Sequence, residues 1–262
     1  MGEAEGSRRG ILVGVKEGCV SRASKTSKII TMKKLPLVSI LTPTFNRRKF
    51  IHQYLRNIKK QDYKGPIEVL IADDGDDKIE DLIPKNTIFR YIKMPEKKPI
   101  GYKRNLLCNE AKGEILIHMD DDDFYPITRV SHAVEKLDKL QAYIAGCSKL
   151  YFYEKSSGIT EYGPISEFHA SAGTFAFFRE YLSKNSFDDK AEMGEEFIFT
   201  HHFTNPLIQL DPLKTILVIA HRRNTYDKAL IERVKSKLKL KDFVRSPVEF
   251  EFYTSQLYNE AK

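Results

Sequence analysis

Four consecutive carboxylates, at positions 120–123, directly follow a short apolar run and are the residues best suited to chemistry. The run, residues 115–119, is too short for a helix and contains β-branched residues, so it predicts a buried strand. Ligands of open α/β sheets bind outside the carboxyl ends of the strands, which is where these acids would lie. Adjacent carboxylates repel one another, and oxygen ligands suit Mg²⁺ or Mn²⁺. The run therefore indicates a divalent-cation site.

A solvated loop is the plainer explanation of any acidic run and stays open at this point. A calcium EF-hand is disfavoured. Its loop needs Gly at the sixth position and Glu at the twelfth, where this sequence has Tyr125 and Ser131.

A second predicted strand, residues 67–72, also runs into acids, Asp73 and Asp74, before Gly75. An Asp-Gly pair alone is a common turn. Parallel strands, however, place their carboxyl ends at one edge of the sheet. We therefore expect Asp73 and Asp74 to converge with residues 120–123.

The order of elements predicts an α/β fold with a mainly parallel central sheet flanked by helices and a smaller mixed region. Strands are expected at 37–41, 67–72, 88–92 and 115–119, and helices at 47–60, 102–111 and 128–140. Pro43 is expected to end the first strand. The second half predicts strands within 142–153, 208–210 and 215–220, a helix from 194 that carries Phe197, Phe199, His201, His202 and Phe203, and a last helix with the stripe Leu230, Ile231, Val234 and Leu238.

Charge and composition divide the 262-residue chain unevenly. Residues 1–34 hold eight basic and three acidic residues and so account for +5 of the net charge of +7. We expect 1–34 to be a mobile basic extension, 35–228 the main domain, and 229–262 a helical extension packed on it. Three cysteines without metal-ligand spacing, no transmembrane segment and no secretory signal favour the cytoplasm.

The ordered pieces resemble a family 2 glycosyltransferase of the GT-A (nucleotide-diphospho-sugar transferase) fold. The resemblance covers about residues 36–225. It is carried by five segments: 38–47 (VSILTPTFNR), 68–75 (EVLIADDG), 101–105 (GYKRN), 113–123 (GEILIHMDDDD) and 194–196 (GEE).

The resemblance implies a metal-dependent, hexosyltransferase-type enzyme that uses a nucleotide-diphosphate sugar. A UDP- or GDP-sugar is the donor expected ahead of others. The nucleoside would lie along Pro43, Thr44 and Asn46, and its base would meet Asp74 with Asp73 beside it. Arg104 would pair with the donor or brace the carboxylates.

The resemblance also implies a D-x-D motif that holds Mn²⁺ or Mg²⁺. Asp120 would lie toward the ribose and the metal, Asp122 on the metal, and Asp123 beside it, while His221 would complete the metal shell. An inverting reaction needs a base for the acceptor hydroxyl. The family's base lies in an acidic pair at a helix start, here Glu195 and Glu196. This sequence has Glu at the second place, and we take Glu195 ahead of Glu196.

Other functions remain to be weighed. A sugar-1-phosphate nucleotidyltransferase would carry a Gly-rich loop after the first strand, and residues 42–46 contain no Gly. A nucleic-acid-binding protein would use the basic tail, but only +2 of the charge lies outside 1–34, so no nucleic-acid partner is expected. A non-catalytic relative is disfavoured by the intact acids. The acceptor would be a glycan, protein or lipid.

Overall fold

The computed structural model describes residues 34–139, 142–221, 224 and 233–258. The strands among them are β1 (Val38–Thr44), β2 (Ile67–Asp73), β3 (Phe89–Lys93), β4 (Ile115–His118), β5 (Ile144–Gly146), β6 (Leu150–Glu154), β7 (Gly158–Tyr162), β8 (Ala176–Phe178), β9 (Ile208–Gln209), β10 (Val218–Ile219) and β11 (Val234–Lys235). They form a seven-stranded sheet of order β3-β2-β1-β4-β8-β5-β9 and a four-stranded sheet of order β10-β6-β7-β11.

The central part of the large sheet is parallel, as the sequence predicted. Strands β3, β2, β1 and β4 pair in parallel, whereas β8 runs antiparallel between β4 and β5. The order β2-β1-β4 brings the carboxyl ends of these three strands side by side. This edge is where the sequence placed both groups of acids.

Strand β1 contradicts one expectation, because it continues through Pro43 to Thr44. The Leu41 carbonyl accepts from Met119 N, and the Thr44 carbonyl accepts from Asp74 N. The backbone N–H and C=O groups of successive strand residues point alternately to the two neighbouring strands. The backbone of Pro43 therefore faces β4, as that of Leu41 does. Strand β4 has already ended there, and the missing N–H of Pro43 leaves no ladder bond unmade.

Helices cover both faces of the sheet. They are α1 (Arg48–Lys59), α2 (Ile100–Glu110), α3 (Arg129–Asp138), α4 (Glu196–Phe199), α5 (Pro212–Thr215), α6 (Leu240–Phe243) and α7 (Pro247–Thr254). The apolar stripes of α1 and α3 pack with Ile115 and Ile117 of β4, and α2 packs with Leu116, which points the other way. The three long helices that the sequence predicted are confirmed. No helix of the described residues is long and apolar enough to cross a membrane.

The turn after α4 differs from its prediction. The helix ends at Phe199, and His201, His202 and Phe203 have φ values of 50°, 59° and 58°. The left-handed region is incompatible with a continuing right-handed helix, so the predicted helical positions of these three residues were wrong. The Thr200 side chain closes the turn by donating to the Glu196 carbonyl and accepting from Phe203 N.

The C-terminal region mixes strand and helix. The predicted last helix was wrong at Val234, which pairs with Glu161 in an antiparallel ladder between β11 and β7. Leu230 and Ile231 lie outside the described residues, as does 1–33 of the predicted extension. The expected strand at 215–220 is shorter, because α5 occupies its start and Asp211 caps that helix by accepting from Leu213 N at 3.0 Å. Helix α7 contacts α1 where Glu249 accepts from Gln53 at 2.9 Å.

Candidate active site

One cleft of about 1120 Å³ opens at the carboxyl ends of β1 and β4. It is lined by residues 43–47 after β1, by the four acids 120–123 after β4, and by residues 194–196 at the start of α4. These segments are distant in sequence. The parallel strand order brings the first two together, as expected for the ligand crevice of an open α/β sheet.

The predicted metal ligands Asp122 and His221 lie in contact. His221 Nε2 is 3.1 Å from Asp122 Oδ2, and Arg47 Nη2 is 3.4 Å from the same oxygen. A carboxylate beside an imidazole suits Mn²⁺. No group of three or more His, Cys, Asp or Glu side chains in the described parts of the chain is arranged to hold a cation alone. The pair of Asp122 and His221 therefore fits a cation that is also bound by phosphate oxygens of the substrate.

Asp121 and Asp123 are more deeply buried than Asp120 and Asp122. The Asp123 carboxylate accepts from Ile219 N at 2.8 Å and so ties the acidic loop to β10. Burial, and then the charge of Asp122, raises the pKa of Asp121 well above its ordinary value. Arg47 Nε lies 3.7 Å from Asp121 and offsets part of this repulsion.

Arg104 connects two acidic segments of the cleft, the one that follows β4 and the one that begins α4. Its Nε donates to Glu195 Oε1 at 2.7 Å, and its Nη1 donates to Asp120 Oδ1 at 3.3 Å. The guanidinium is only 5% exposed, so both contacts lie in a region of low dielectric. Asp120 itself is 26% exposed and faces the cleft. The sequence predicted that Arg104 contacts either the donor or the carboxylates. In the structure it donates hydrogen bonds to two carboxylates.

Glu196 differs in environment from Glu195. Burial, and secondarily the negative charge of Glu195, raises the pKa of Glu196 from 4.5 to about 7. Glu195 instead has a cationic partner in Arg104. The two adjacent carboxyls therefore have different chemistry, one paired and one able to exchange a proton near neutral pH.

Two glycines leave room for the site. A Cβ on Gly173 would lie 2.6 Å from Asp120 Oδ2, so a larger residue at this position would require the Asp120 carboxylate to move. A Cβ on Gly75 would lie 2.5 Å from the backbone N of Asn46, which itself has a φ of 55°. The Asn46 side chain accepts from Asp77 N at 3.0 Å and holds this close approach.

The predicted donor residues divide into two groups. Pro43, Thr44 and Asn46 line the cleft, as the sequence indicated. Asp73 and Asp74 do not line it, and both carboxylates are bonded within the protein. Asp73 accepts from Gly75 N, Ile79 N and Tyr91 Oη.

Asp74 is bonded to a residue that the sequence analysis missed. Its Oδ1 accepts from Lys103 Nζ at 2.7 Å and its Oδ2 from Lys98 N at 2.8 Å. The Lys103 side chain is 7% exposed and the Asp74 side chain 0%. The signal available in the sequence was a second basic residue directly before Arg104.

A family model, glycosyl transferase family 2, matches residues 39–204. Among curated proteins, the chain is 29% identical over 119 residues to GalNAc(5)-diNAcBac-PP-undecaprenol beta-1,3-glucosyltransferase of Campylobacter jejuni, which covers 43% of this chain and 38% of that protein. It is 28% identical over 129 residues to UDP-Glc:alpha-D-GlcNAc-diphosphoundecaprenol beta-1,3-glucosyltransferase WfaP of Escherichia coli, 48% of this chain and 50% of that protein. The chain thus spans half the length of these relatives or less.

Solved structures share the fold. Staphylococcus aureus TarS 1-349 in complex with UDP-GlcNAc aligns with a TM-score of 0.59 and 19% identity over 74% of this chain and 61% of that chain. Mannosyltransferase PcManGT of Pyrobaculum calidifontis, in complex with GDP-Man and Mn²⁺, aligns with a TM-score of 0.56 and 18% identity over 72% of this chain and 59% of that chain. The architecture is therefore that of the GT-A glycosyltransferases.

Proposed function

The chain belongs to glycosyl transferase family 2, and from this premise we propose that it transfers a sugar from a nucleoside-diphosphate sugar to an acceptor hydroxyl, with inversion at the anomeric carbon. The observation that carries the proposal is that two groups of polar contacts lie in one cleft. Asp122 meets His221 at one end, and Arg104 connects Asp120 to Glu195 at the other. Such a set can hold a diphosphate and a proton acceptor on opposite sides of a sugar.

The metal site is assigned to Asp122 and His221, with Asp120 directed to the ribose. A bound Mn²⁺ or Mg²⁺ supplies positive charge that stabilises the departing diphosphate. Asp123 was predicted as a ligand, but it is the residue that accepts from Ile219 N. We therefore propose that Asp123 fixes the acidic loop to β10 rather than binding the metal. The bound GDP-Man and Mn²⁺ of the mannosyltransferase neighbour support a metal of this kind.

The general base is assigned to Glu196. The sequence preference was Glu195, and the assignment changes because the Glu195 carboxylate is paired with Arg104. Glu196 lies in the cleft and has a pKa of about 7. A general base is most effective when its pKa lies near the pH at which the enzyme works. Arg104 then acts as a positioning residue that keeps Glu195 beside Glu196 and Asp120 on the donor side.

The acceptor is proposed to be a hydroxyl of a glycan, on a lipid or another carrier. The names of the Campylobacter and Escherichia relatives describe saccharides on a diphosphate-linked lipid. The donor is proposed to be a UDP- or GDP-sugar, as in the complexes of the two structural neighbours.

Thermal unfolding in the presence of nucleotides tests the proposal directly. The purified chain is melted with UDP, GDP, CDP or dTDP, each with and without Mn²⁺. A ligand at a hundred times its Kd stabilises the folded state by about 2.7 kcal/mol, which raises the Tm by roughly 5 to 10 °C for a domain of this size. We expect a metal-dependent shift with UDP or GDP.

A matched pair of variants gives the control. Asp122→Asn should lose the metal-dependent part of the shift, whereas Asp138→Asn, which changes an exposed carboxylate on α3, should keep it. The absence of a shift with all four nucleotides would contradict the proposed donor site. An equal shift in both variants would contradict the metal assignment.

A further inference from the structure

The nucleobase end of the cleft is basic, although the sequence placed acids there. On the proposed function, the diphosphate lies near Asp122 and the sugar near Glu196, which leaves the part of the cleft lined by Phe45 for the base. The residues of this end are Phe45, Lys97, Lys98 and Lys103, which we call the lysine wall. The ammonium groups of Lys97 and Lys103 lie 5.3 and 5.9 Å from the centre of the Phe45 ring.

Asp74 is the counter-ion of this wall and is closed to a ligand. One carboxylate oxygen is 2.7 Å from Lys103 Nζ, the other accepts from Lys98 N at 2.8 Å, and the side chain has no exposed area. A buried pair of this kind is held firmly, because separating its members leaves an uncompensated charge. Lys103 therefore reaches the cleft surface, while Asp74 lies behind it.

The chemistry of the wall follows from its donors. An ammonium group donates hydrogen bonds and accepts none. A base can therefore be recognised here through carbonyl oxygens or ring nitrogens. In uracil the imide N–H lies between the two carbonyl oxygens, and it finds no acceptor at Asp74. Guanine presents two acceptors, O6 and N7, on one edge, and lysine is a common partner of that edge. The half-buried Phe45 ring offers a flat surface beside it.

We propose that Lys103, with Asp74 as its buried counter-ion, is the residue that determines nucleobase preference, and that it selects a base with two adjacent acceptors on one edge, guanine ahead of uracil. This inference rests on the proposed function, because it needs a nucleoside diphosphate in the cleft. The donor is then a GDP-sugar.

Calorimetric titration with GDP and with UDP, both in the presence of Mn²⁺, measures the preference. The wild-type chain should bind GDP about tenfold or more tightly than UDP, as expected for hydrogen bonds to a charged donor. Lys103→Met should reduce the ratio of the two dissociation constants by roughly tenfold, because it removes the donor and frees an acceptor for the uracil imide. Lys85→Met is the matched control, because Lys85 is an exposed lysine outside the cleft lining, and it should keep the wild-type ratio.

A double variant controls for the possibility that Lys103→Met prevents folding. Lys103→Met leaves Asp74 buried without a counter-ion, whereas Lys103→Met with Asp74→Asn removes both charges. The double variant should lose the preference for GDP without gaining affinity for UDP. Tighter binding of UDP than GDP by the wild type, or an unchanged ratio in the folded double variant, would overturn the inference and leave the proposed function standing. Failure of the wild type to bind either nucleotide would overturn both.

Discussion

Glu196 should make the rate of sugar transfer depend on pH around neutrality. Burial, with a smaller contribution from the charge of Glu195, raises the pKa of Glu196 to about 7 from 4.5. A general base accepts a proton only when it is ionised, so turnover follows the ionised fraction of this carboxyl. We therefore expect kcat/KM to rise with pH and to level off above about pH 8.

The size of the effect separates this base from an ordinary carboxylate. With a pKa of about 7, Glu196 is about 9% ionised at pH 6 and about 91% at pH 8, a tenfold difference in active enzyme. A carboxyl that titrates at 4.5 would be almost fully ionised at both values, and the rate would not change. The raised pKa also stabilises the folded chain while Glu196 is protonated. That stabilisation is complete below about pH 4.5 and is lost as the pH rises through about 7.

Initial rates of nucleoside diphosphate release, measured from pH 5.5 to 8.5 at fixed free Mn²⁺ and low donor concentration, provide the assay. Glu196→Gln should lower kcat by roughly 10² to 10⁴ while leaving nucleotide binding intact. Glu195→Gln should move the midpoint of the pH profile to lower pH. It removes the neighbouring negative charge, and it leaves Arg104, which already lowers the pKa of Glu196, less fully compensated.

A flat profile between pH 6 and 8, together with an active Glu196→Gln variant, would refute the assignment of the base. If Glu195→Gln abolished turnover instead while Glu196→Gln remained active, the base would be Glu195, as the sequence alone suggested. Midpoints of urea unfolding, measured over the same pH range, check the linkage separately. The wild type should lose stability relative to Glu196→Gln between pH 5 and 8.

Three further changes probe the contacts around the cleft. Asp122→Asn should abolish Mn²⁺-dependent turnover in a metal titration, and full activity at ordinary Mn²⁺ concentrations would exclude Asp122 as a ligand. His221→Gln should raise the Mn²⁺ concentration for half-maximal rate by about tenfold or more, whereas a purely structural histidine would change the melting temperature and leave that concentration alone. Arg104→Met should lower the free energy of unfolding by about 3 to 5 kcal/mol in urea, because it leaves Glu195 and Asp120 without their shared buried cation. A loss below about 1 kcal/mol would show that these carboxylates find other partners.

Local sequence patterns determined most of the parallel core. Residues of β4 alternate between two apolar layers, with Ile115 and Ile117 on one side and Leu116 on the other. Helix α1 repeats its apolar residues at the helical period. Both patterns depend only on the chain's own geometry, so spacing alone was enough to predict them. The same reasoning placed Asp122 at the cleft edge.

Elements whose stability depends on a neighbour were not predictable in this way. Pro43 remains in a strand because β4 ends at His118, two residues before the position that would pair with Pro43. Val234 is a strand residue because Glu161 of β7 lies opposite it. Helical periodicity in a short segment does not predict its structure when a neighbouring sheet edge can form hydrogen bonds with the backbone of that segment.

The types of the site residues were determined by the sequence, and their states of pairing by the tertiary structure. Five motifs in order indicated a donor site, a metal site and an acidic pair. The chain order, however, does not reveal that Lys103 reaches Asp74, 29 positions away, or that Arg104 reaches Glu195, 91 positions away. These contacts decide which carboxylate is neutralised and which keeps a raised pKa. The physical reason is that a charge responds to distance and burial, which only the folded chain specifies.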